Sequence, residues 1–529
     1  MSIIHRASPV ITLIVTCLGF FMILLDVSIV TVALSTIQTD LHATLADLQW
    51  VVDAYTLPFA ALMLTAGALG DRYGRKRVFL AGLMLFLLGS TLCGFATTLN
   101  WFLIGRVLQG VGGAALSPGS LSVLVAAFPE PRKQAQVIGI WSGISGLALA
   151  AGPLVGGVLI HLFSWPAIFL VNLPVGLVAL ALGWPLLAES RNPSAERIDL
   201  PGQLLVTAAL ACLITALIEG SSQGWISTLI LGLFIASVVL FAAFLLVEAR
   251  VPNPLLPLGL FANRVFSVAN VAALIVGFAL LGTVFFISQY FQAVQGYTAL
   301  ESGLRTLPTT MGIFLAAPFA GLLAARLGPR LPIVVGALLS GIALFLLTSL
   351  EPSSSYETIW WMLGMLGIGF GLTLSPLTAA VLSATPPTRT GLGSSMINTS
   401  RQVGSTLGVA VLGTFVVQQF SSTIVFQLMQ RGVPKSTSAT IASKIGSFGA
   451  QATQVHLSGQ LPLSKITLQQ AIGQAFVDAL HGSFVISGVT LLATALLVAF
   501  LLQQKQQSTQ VVSRERRKRW YLIRPAHHN

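Results

Sequence analysis

Charge is scarce in this chain: 8% of its 529 residues are Asp, Glu, Lys or Arg, against 55% hydrophobic. No soluble domain can hide that much apolar surface, so the solvent around it is lipid. Cysteine is scarcer still. Cys17, Cys93 and Cys212 all fall inside apolar runs, which excludes a disulfide framework and a cysteine metal site. A phosphate-binding glycine loop is missing, and so is any nucleophile–base–orienter pattern. Enzyme chemistry, a cofactor and ATP-driven pumping therefore find no support. The seven histidines are scattered or terminal and receive no role.

What is present is a series of fourteen apolar runs, at about 10–34, 47–69, 77–97, 101–127, 135–160, 166–188, 203–219, 227–247, 266–293, 302–325, 331–350, 357–382, 400–420 and 483–503. Each approaches the roughly 20 residues needed to cross a hydrocarbon core. The first is too long for a signal-peptide core and reads as a retained span. The net charge of +12 does not indicate nucleic acid, because the basic residues occupy alternate loops. They lie at Arg72–Arg77, Arg132–Lys133, Arg191 and Arg197, Arg250 and Arg264, Arg326 and Arg330, and Arg389, then in the tail from Arg514 to Arg519. That alternation predicts a multi-pass protein of the inner (cytoplasmic) membrane with both termini in the cytoplasm.

The fold class expected is an all-α integral membrane protein of fourteen helices, two six-helix bundles plus two inserted helices. Residues 1–190 form the first bundle and 191–257 the inserted pair. Residues 258–505 form the second bundle, with an outer loop at 421–482, and 506–529 a basic tail. Gly321–Arg330 echoes Gly67–Arg77 at the matching place in the other half. Paired halves are the usual build of secondary transporters, with the site between them near the midplane. Within the long loop, Leu468, Ile472, Phe476 and Leu480 are spaced four apart, which fits an amphipathic helix on the outer surface or packed on the bundle.

Gly67–Arg77 joins two apolar runs with helix-ending glycines, one acid and four cations. Such a loop suits a tight cytoplasmic hinge facing anionic headgroups. Gly67, Asp71, Arg72, Gly74 and Arg75 are its candidate residues, and Asp71 is placed to cap the next helix and pair with an arginine. Asp26 lies well inside the first run. An acid at that depth is a functional hypothesis by default, since low dielectric favours the neutral acid and makes proton exchange accessible. A structural acid bonded to a neighbouring helix is the alternative. Asp53 lies near the outer end of the second run, with Trp50 and Leu57 on its face and Tyr55 close by. A carboxylate among rings suits a lipophilic cation, and an interfacial acid in an aromatic belt is the other reading.

Arg106, with Gln109, Gly110 and Gly113 on its face, needs an anionic partner and would tune Asp26. Gly143, Gly146, Gly152, Pro153, Gly156 and Gly157 make the fifth run a wall of small residues with a bend, suited to close packing and rocking. In the last block Tyr290, Gln292 and Gln295 end one run, and Ser394, Asn398, Arg401 and Ser405 make a stripe on another. These either line a cavity or only join helices.

Several of these stretches together resemble a known family. Gly67–Arg77 resembles the loop signature of the major facilitator superfamily, Arg106–Gly113 its fourth-span motif, and Gly143–Gly157 the antiporter motif of its exporters. Leu25-Asp26-Val-Ser-Ile-Val-Thr-Val-Ala-Leu, Tyr290–Tyr297 and Arg401–Gly408 are similar to motifs of its fourteen-span drug:proton antiporters, the EmrB/QacA group. The resemblance covers nearly the whole chain. It implies proton-coupled efflux of amphipathic, often cationic drugs by alternating access, with Asp26 and Arg106 in proton coupling. Asp53, Trp50, Tyr55, Tyr290, Gln292, Asn398 and Arg401 are the candidate substrate contacts. The partners expected are an amphipathic small molecule, protons and membrane lipids, with a monomeric chain, no nucleic acid and a periplasmic adaptor left open. A flippase or exporter of lipid or cell-envelope precursors with the same fold is the alternative. The chain departs from the group at Trp165-Pro166-Ala167, where the group often has Trp-Arg-Trp.

Overall fold

A computed structural model describes residues 8–128, 130–191, 199–252, 254, 256, 258–385, 390–430, 434, 438 and 465–502. Every regular element in it is helical. The first half holds α1 (Pro9–Asp40), α2 (Leu45–Tyr73), α3 (Arg75–Gly94), α4 (Leu99–Ala127) and α5 (Pro131–Leu162), then the short α6 (Ala167–Leu170) and α7 (Asn172–Leu186). Two helices follow, α8 (Leu200–Gln223) and α9 (Thr228–Glu248). The second half holds α10 (Arg264–Gln289), α11 (Ala299–Leu327), α12 (Arg330–Leu347), α13 (Tyr356–Ala384), α14 (Thr390–Gln430) and α15 (Lys465–Leu501).

Among the described residues, twelve helical segments are long and apolar enough to cross a membrane, with α6 and α7 counted as one. The helices α2 and α5, of 29 and 32 residues, have comparable length outside that set. The helices reach further into 421–482 than the apolar runs suggest, since α14 continues to Gln430 and α15 begins at Lys465. Ile472, Phe476 and Leu480 are buried. The amphipathic stretch is thus the first part of α15, packed on the bundle; Leu468's side chain lies outside the described residues.

Both halves repeat one packing scheme. In the first, α1 packs on α5 while α2 and α3 pack on α4; in the second, α10 packs on α14 while α11 and α12 pack on α13. The halves meet where α5 touches α11 and α2 touches α14, and α8 lies against both α2 and α14. Apolar side chains of α1, α10, α13, α14 and α15 merge into one core across the halves. Large apolar residues also stand exposed, including Ile235, Val238 and Leu246 on α9 and Leu315, Phe319 and Leu322 on α11. Such a surface is stable only against hydrocarbon, where each helix satisfies its own backbone.

Candidate functional site

Asp26 and Arg106 meet in the first half. Arg106 donates from Nη1 to Asp26 Oδ2 at 2.6 Å, and Gln109 Nε2 donates to Asp26 Oδ1 at 2.9 Å. Neither Asp26 nor Arg106 is more than 1% exposed. Arg106 also donates through Nε to the carbonyl of Val51 at 3.0 Å, which ties α4 to α2. The ring of Tyr55 lies 4.5 Å from the guanidinium carbon, and that of Phe169 lies 5.8 Å from it. Asn172 Nδ2 reaches Asp26 Oδ1 at 3.4 Å, and both Gln109 and Asn172 donate to Ser90 Oγ. Five helices, α1, α2, α3, α4 and α7, thus supply one buried polar cluster. Charge-assisted bonds from guanidinium and amide replace the water an ionised carboxylate would lose. Tyr55 belongs to this cluster, not to a group around Asp53, and its hydroxyl has no hydrogen-bond partner.

Asp53 is fully buried where α2 meets α14. Oδ1 accepts from Thr56 Oγ1 at 3.0 Å, and Thr56 Oγ1 accepts from Thr406 of α14 at 2.9 Å. Oδ2 has no partner, and no cation pairs with this acid among the described residues. Trp50 turns away from Asp53 to α8. Its Nε1 donates to Glu219 at 3.2 Å, and with Leu57 it packs beside Ile214 and Ile218. The helix period holds, but the seam with α8 and α14 divides that face.

The small-residue wall of α5 faces two ways. A Cβ at Gly156 would meet Ile29 and Val32 of α1 at 2.7 and 2.8 Å, and one at Gly152 would overlap Ser28. One at Gly157 would overlap Leu300 of α11, and a Cβ on Gly303 of α11 would overlap the carbonyl of Pro153. The wall therefore packs α5 on α1 and on the opposite half. The surroundings of Gly143 and Gly146 lie outside the described residues.

In the second half the candidate polar residues bond to one another and to neighbouring segments. Arg401 Nη2 donates to Asn398 Oδ1 at 3.0 Å, and no carboxylate pairs with it among the described residues. Tyr290 donates to the carbonyl of Glu351 at 2.7 Å and accepts from Gln295 at 2.9 Å. Gln292 lies between α1 and α11, bonded to Ser35, Ser288 and Ser302. The side chain of Ser394 lies outside the described residues.

At the hinge, Gly74 has φ +120°, a conformation that side chains resist. It makes no side-chain cap to α3. An acid from beyond α7, Glu189, is seated at that helix start. Glu189 accepts from Lys76 N at 3.1 Å and pairs with Arg77 at 3.7 Å, and Arg75 N donates to the carbonyl of Ser190 at 2.9 Å. The Asp71 side chain lies outside the described residues. Trp165, at the departure from the group's motif, is buried against Phe102 and Phe169 and donates to Asp40 at 2.8 Å.

Sequence reasoning missed Asn172, Ser90, Glu189 and Arg305. The first two are polar residues within apolar runs. Arg305 is a lone cation six residues into α11; its guanidinium carbon lies 3.5 Å from the Tyr297 ring centroid and its Nε has no partner.

Comparison with known proteins adds four findings. A family profile described as Major Facilitator Superfamily matches residues 16–409. The chain is 34% identical over 499 residues to the tetracenomycin C resistance and export protein of Streptomyces glaucescens, covering 94% of this chain and 92% of that one. It is 37% identical over 495 residues to the multidrug resistance protein Stp of Mycobacterium tuberculosis, covering 94% and 91%. In fold it is similar to a bacterial homologue of the human lysosomal transporter Spinster, solved inward-facing and unoccupied, with a TM-score of 0.62, 18% identity, and 95% and 98% of the two chains covered.

Proposed function

Because this chain belongs to the Major Facilitator Superfamily, we propose that it exports amphipathic, cationic drugs across the cytoplasmic membrane in exchange for protons. It is a multi-pass transporter and not an enzyme. The observation that carries the coupling is the buried Asp26–Arg106 pair. While Asp26 is ionised, the pair holds α1 against α4. A proton on Asp26 removes the negative charge and leaves Arg106 to Gln109, Val51 and the Tyr55 ring. The hold of α1 on α4 then weakens, and α1 also contacts the second half. Each charge moved along the membrane potential contributes about 2.3 kcal/mol per 100 mV.

Asp53 supplies the cation preference. Parting of α2 from α14 exposes a carboxylate that no cation among the described residues satisfies. The α5–α11 contact serves the rocking motion, and the Gly67–Arg77 hinge latches the cytoplasmic end. Fourteen spans, with both termini in the cytoplasm, complete the reading. Support comes from the alternating basic loops and from the relatives named for resistance and export.

A second reading, a flippase for a lipid or cell-envelope precursor, is favoured by one feature. A lateral cleft of about 370 Å³ lies between the α8–α9 turn and α14, lined by Leu217, Trp225, Val411, Thr414, Phe415 and Gln418. Vesicles with an imposed proton gradient separate the two. The exporter reading expects gradient-driven movement of a fluorescent cationic dye by the wild type, with Asp26→Asn and Asp53→Asn each inserted but impaired. Equal dye rates in all three proteins sink the assigned roles. Lipid transfer without dye transport selects the flippase.

A further inference from the structure

The end of α10 carries a device that the substrate reading of Gln292 does not use. The turn that directly continues it, Tyr290–Val294, winds as a π-helix, a rare form. The turn is fastened to the second half: Tyr290 donates to the carbonyl of Glu351, and Gln295 Nε2 donates to the carbonyl of Ser354 at 2.8 Å. Held there, Gln292 reaches three helices. Ser35 of α1 donates to its Oε1, and its Nε2 donates to Ser288 of α10 at 2.9 Å and to Ser302 of α11 at 3.4 Å. One turn earlier, Ser288 donates to the carbonyl of Thr31 at 2.7 Å. Two hydrogen bonds therefore cross between the halves within one turn of α1, at the end where Gly157 meets Leu300.

We infer that Gln292 is a positioning residue, the latch that holds this end of the transporter shut. Neutral hydroxyl and amide groups suit the task. Each such bond contributes modestly and reforms with water when broken, whereas a buried ion pair would be slow to part. Thr31 and Ser35 follow Asp26 on the same helix, so movement of α1 at Asp26 is felt at the latch. The inference rests on the alternating-access reading above.

The test uses the full chain in lipid nanodiscs, with Cys17, Cys93 and Cys212 replaced by Ala and spin labels on paired cysteines. Thr39→Cys with Glu351→Cys reports the latch end, and Tyr73→Cys with Ala262→Cys reports the opposite end; all four positions are exposed. Gln292→Leu and, independently, Ser35→Ala should each raise the long-distance population at the latch end about tenfold, with reciprocal shortening at the other end. Ser302→Ala, which removes a bond within one half, should leave both distributions in place. Unchanged distances in Gln292→Leu and Ser35→Ala overturn the latch, and loss of dye binding with unchanged distances makes Gln292 a substrate contact instead. Equal shifts from Ser302→Ala also overturn it, by showing loss of local packing. Shifted distances without dye transport by the wild type would leave the latch standing and remove the exporter reading.

Discussion

At the scale of single residues, two buried acids stand in opposite circumstances. Asp26 has a donor on each oxygen, while Asp53 has one hydroxyl and a bare oxygen. Taking one partner from a buried ion pair leaves an uncompensated charge and costs about 3–5 kcal/mol, whereas replacing both avoids that penalty. Arg106→Gln should therefore lower the melting temperature in detergent more than the double variant Asp26→Asn/Arg106→Gln does; equal losses would show that the pair is not coupled. For Asp53 the sign reverses. Asp53→Leu removes an acid whose burial is poorly compensated, so stability should hold or rise while transport of a cationic dye falls at least tenfold, measured as melting temperature and vesicle uptake on the same preparation. Asp26, Asp53 and Arg106 could be found in the sequence because a charge inside an apolar run has no cheap explanation. Asn172 and Ser90 could not, since a neutral polar residue in a span costs little and names no partner. The place of Tyr55 beside Arg106 could not be read either, because chain proximity to Asp53 does not tell which neighbouring helix a side chain faces.

Among the elements, the second helix of each half shows the repeat most plainly. The helix α2 starts with a Thr44–Asp47 capping box and α11 with a Thr298–Glu301 box. Each ends at a glycine with positive φ, +120° at Gly74 and +81° at Gly328. Gly74→Ala should cost about 1–3 kcal/mol, because the backbone there suits only glycine and a Cβ would lie 2.6 Å from the Glu189 carboxyl carbon. Glu189→Gln should cost under about 1 kcal/mol, as its ion pair with Arg77 is exposed; thermal melts of the two variants check the order. Gly303→Leu tests the contact between halves. Its side chain would meet the Pro153 carbonyl, so the Thr39–Glu351 distance should lengthen and dye export should fall at least tenfold with insertion intact. The all-helical class and the division into two halves were legible because apolar run length and internal repetition are local properties. The true ends of α14 and α15 were not, because polar residues extend a helix past its apolar run wherever tertiary packing supports it. Glu189 at the start of α3 was not legible for the same reason: a contact more than 100 residues away leaves no mark in a local pattern.

For the whole molecule, the decisive quantity is parity. The helices alternate direction through short turns, and the basic loops fall on every second turn. On the proposed fourteen-span topology, the inserted pair α8–α9 adds two crossings and so keeps the second half in phase with the first. A continuous helix over Lys465–Leu501 is about 55 Å long at 1.5 Å per residue. That exceeds the core of roughly 30 Å, so its first turns stand outside the bilayer beside the latch end. Single cysteines at Thr39, Glu351 and Gln470, all exposed, should therefore react with a membrane-impermeant maleimide added to intact cells. Cysteines at Tyr73 and Ala262 should react only in inside-out vesicles. If α8–α9 crossed once or not at all, the number of crossings between Thr39 and Glu351 would change parity or fall by two. A parity change would invert Glu351 and Gln470 relative to Thr39. A loss of both crossings would keep all five assignments, but a cysteine at Ile226, 87% exposed in the α8–α9 turn, would then stay silent from outside. Labelling of Ile226→Cys in intact cells is thus the measurement that fixes the insert as a membrane hairpin.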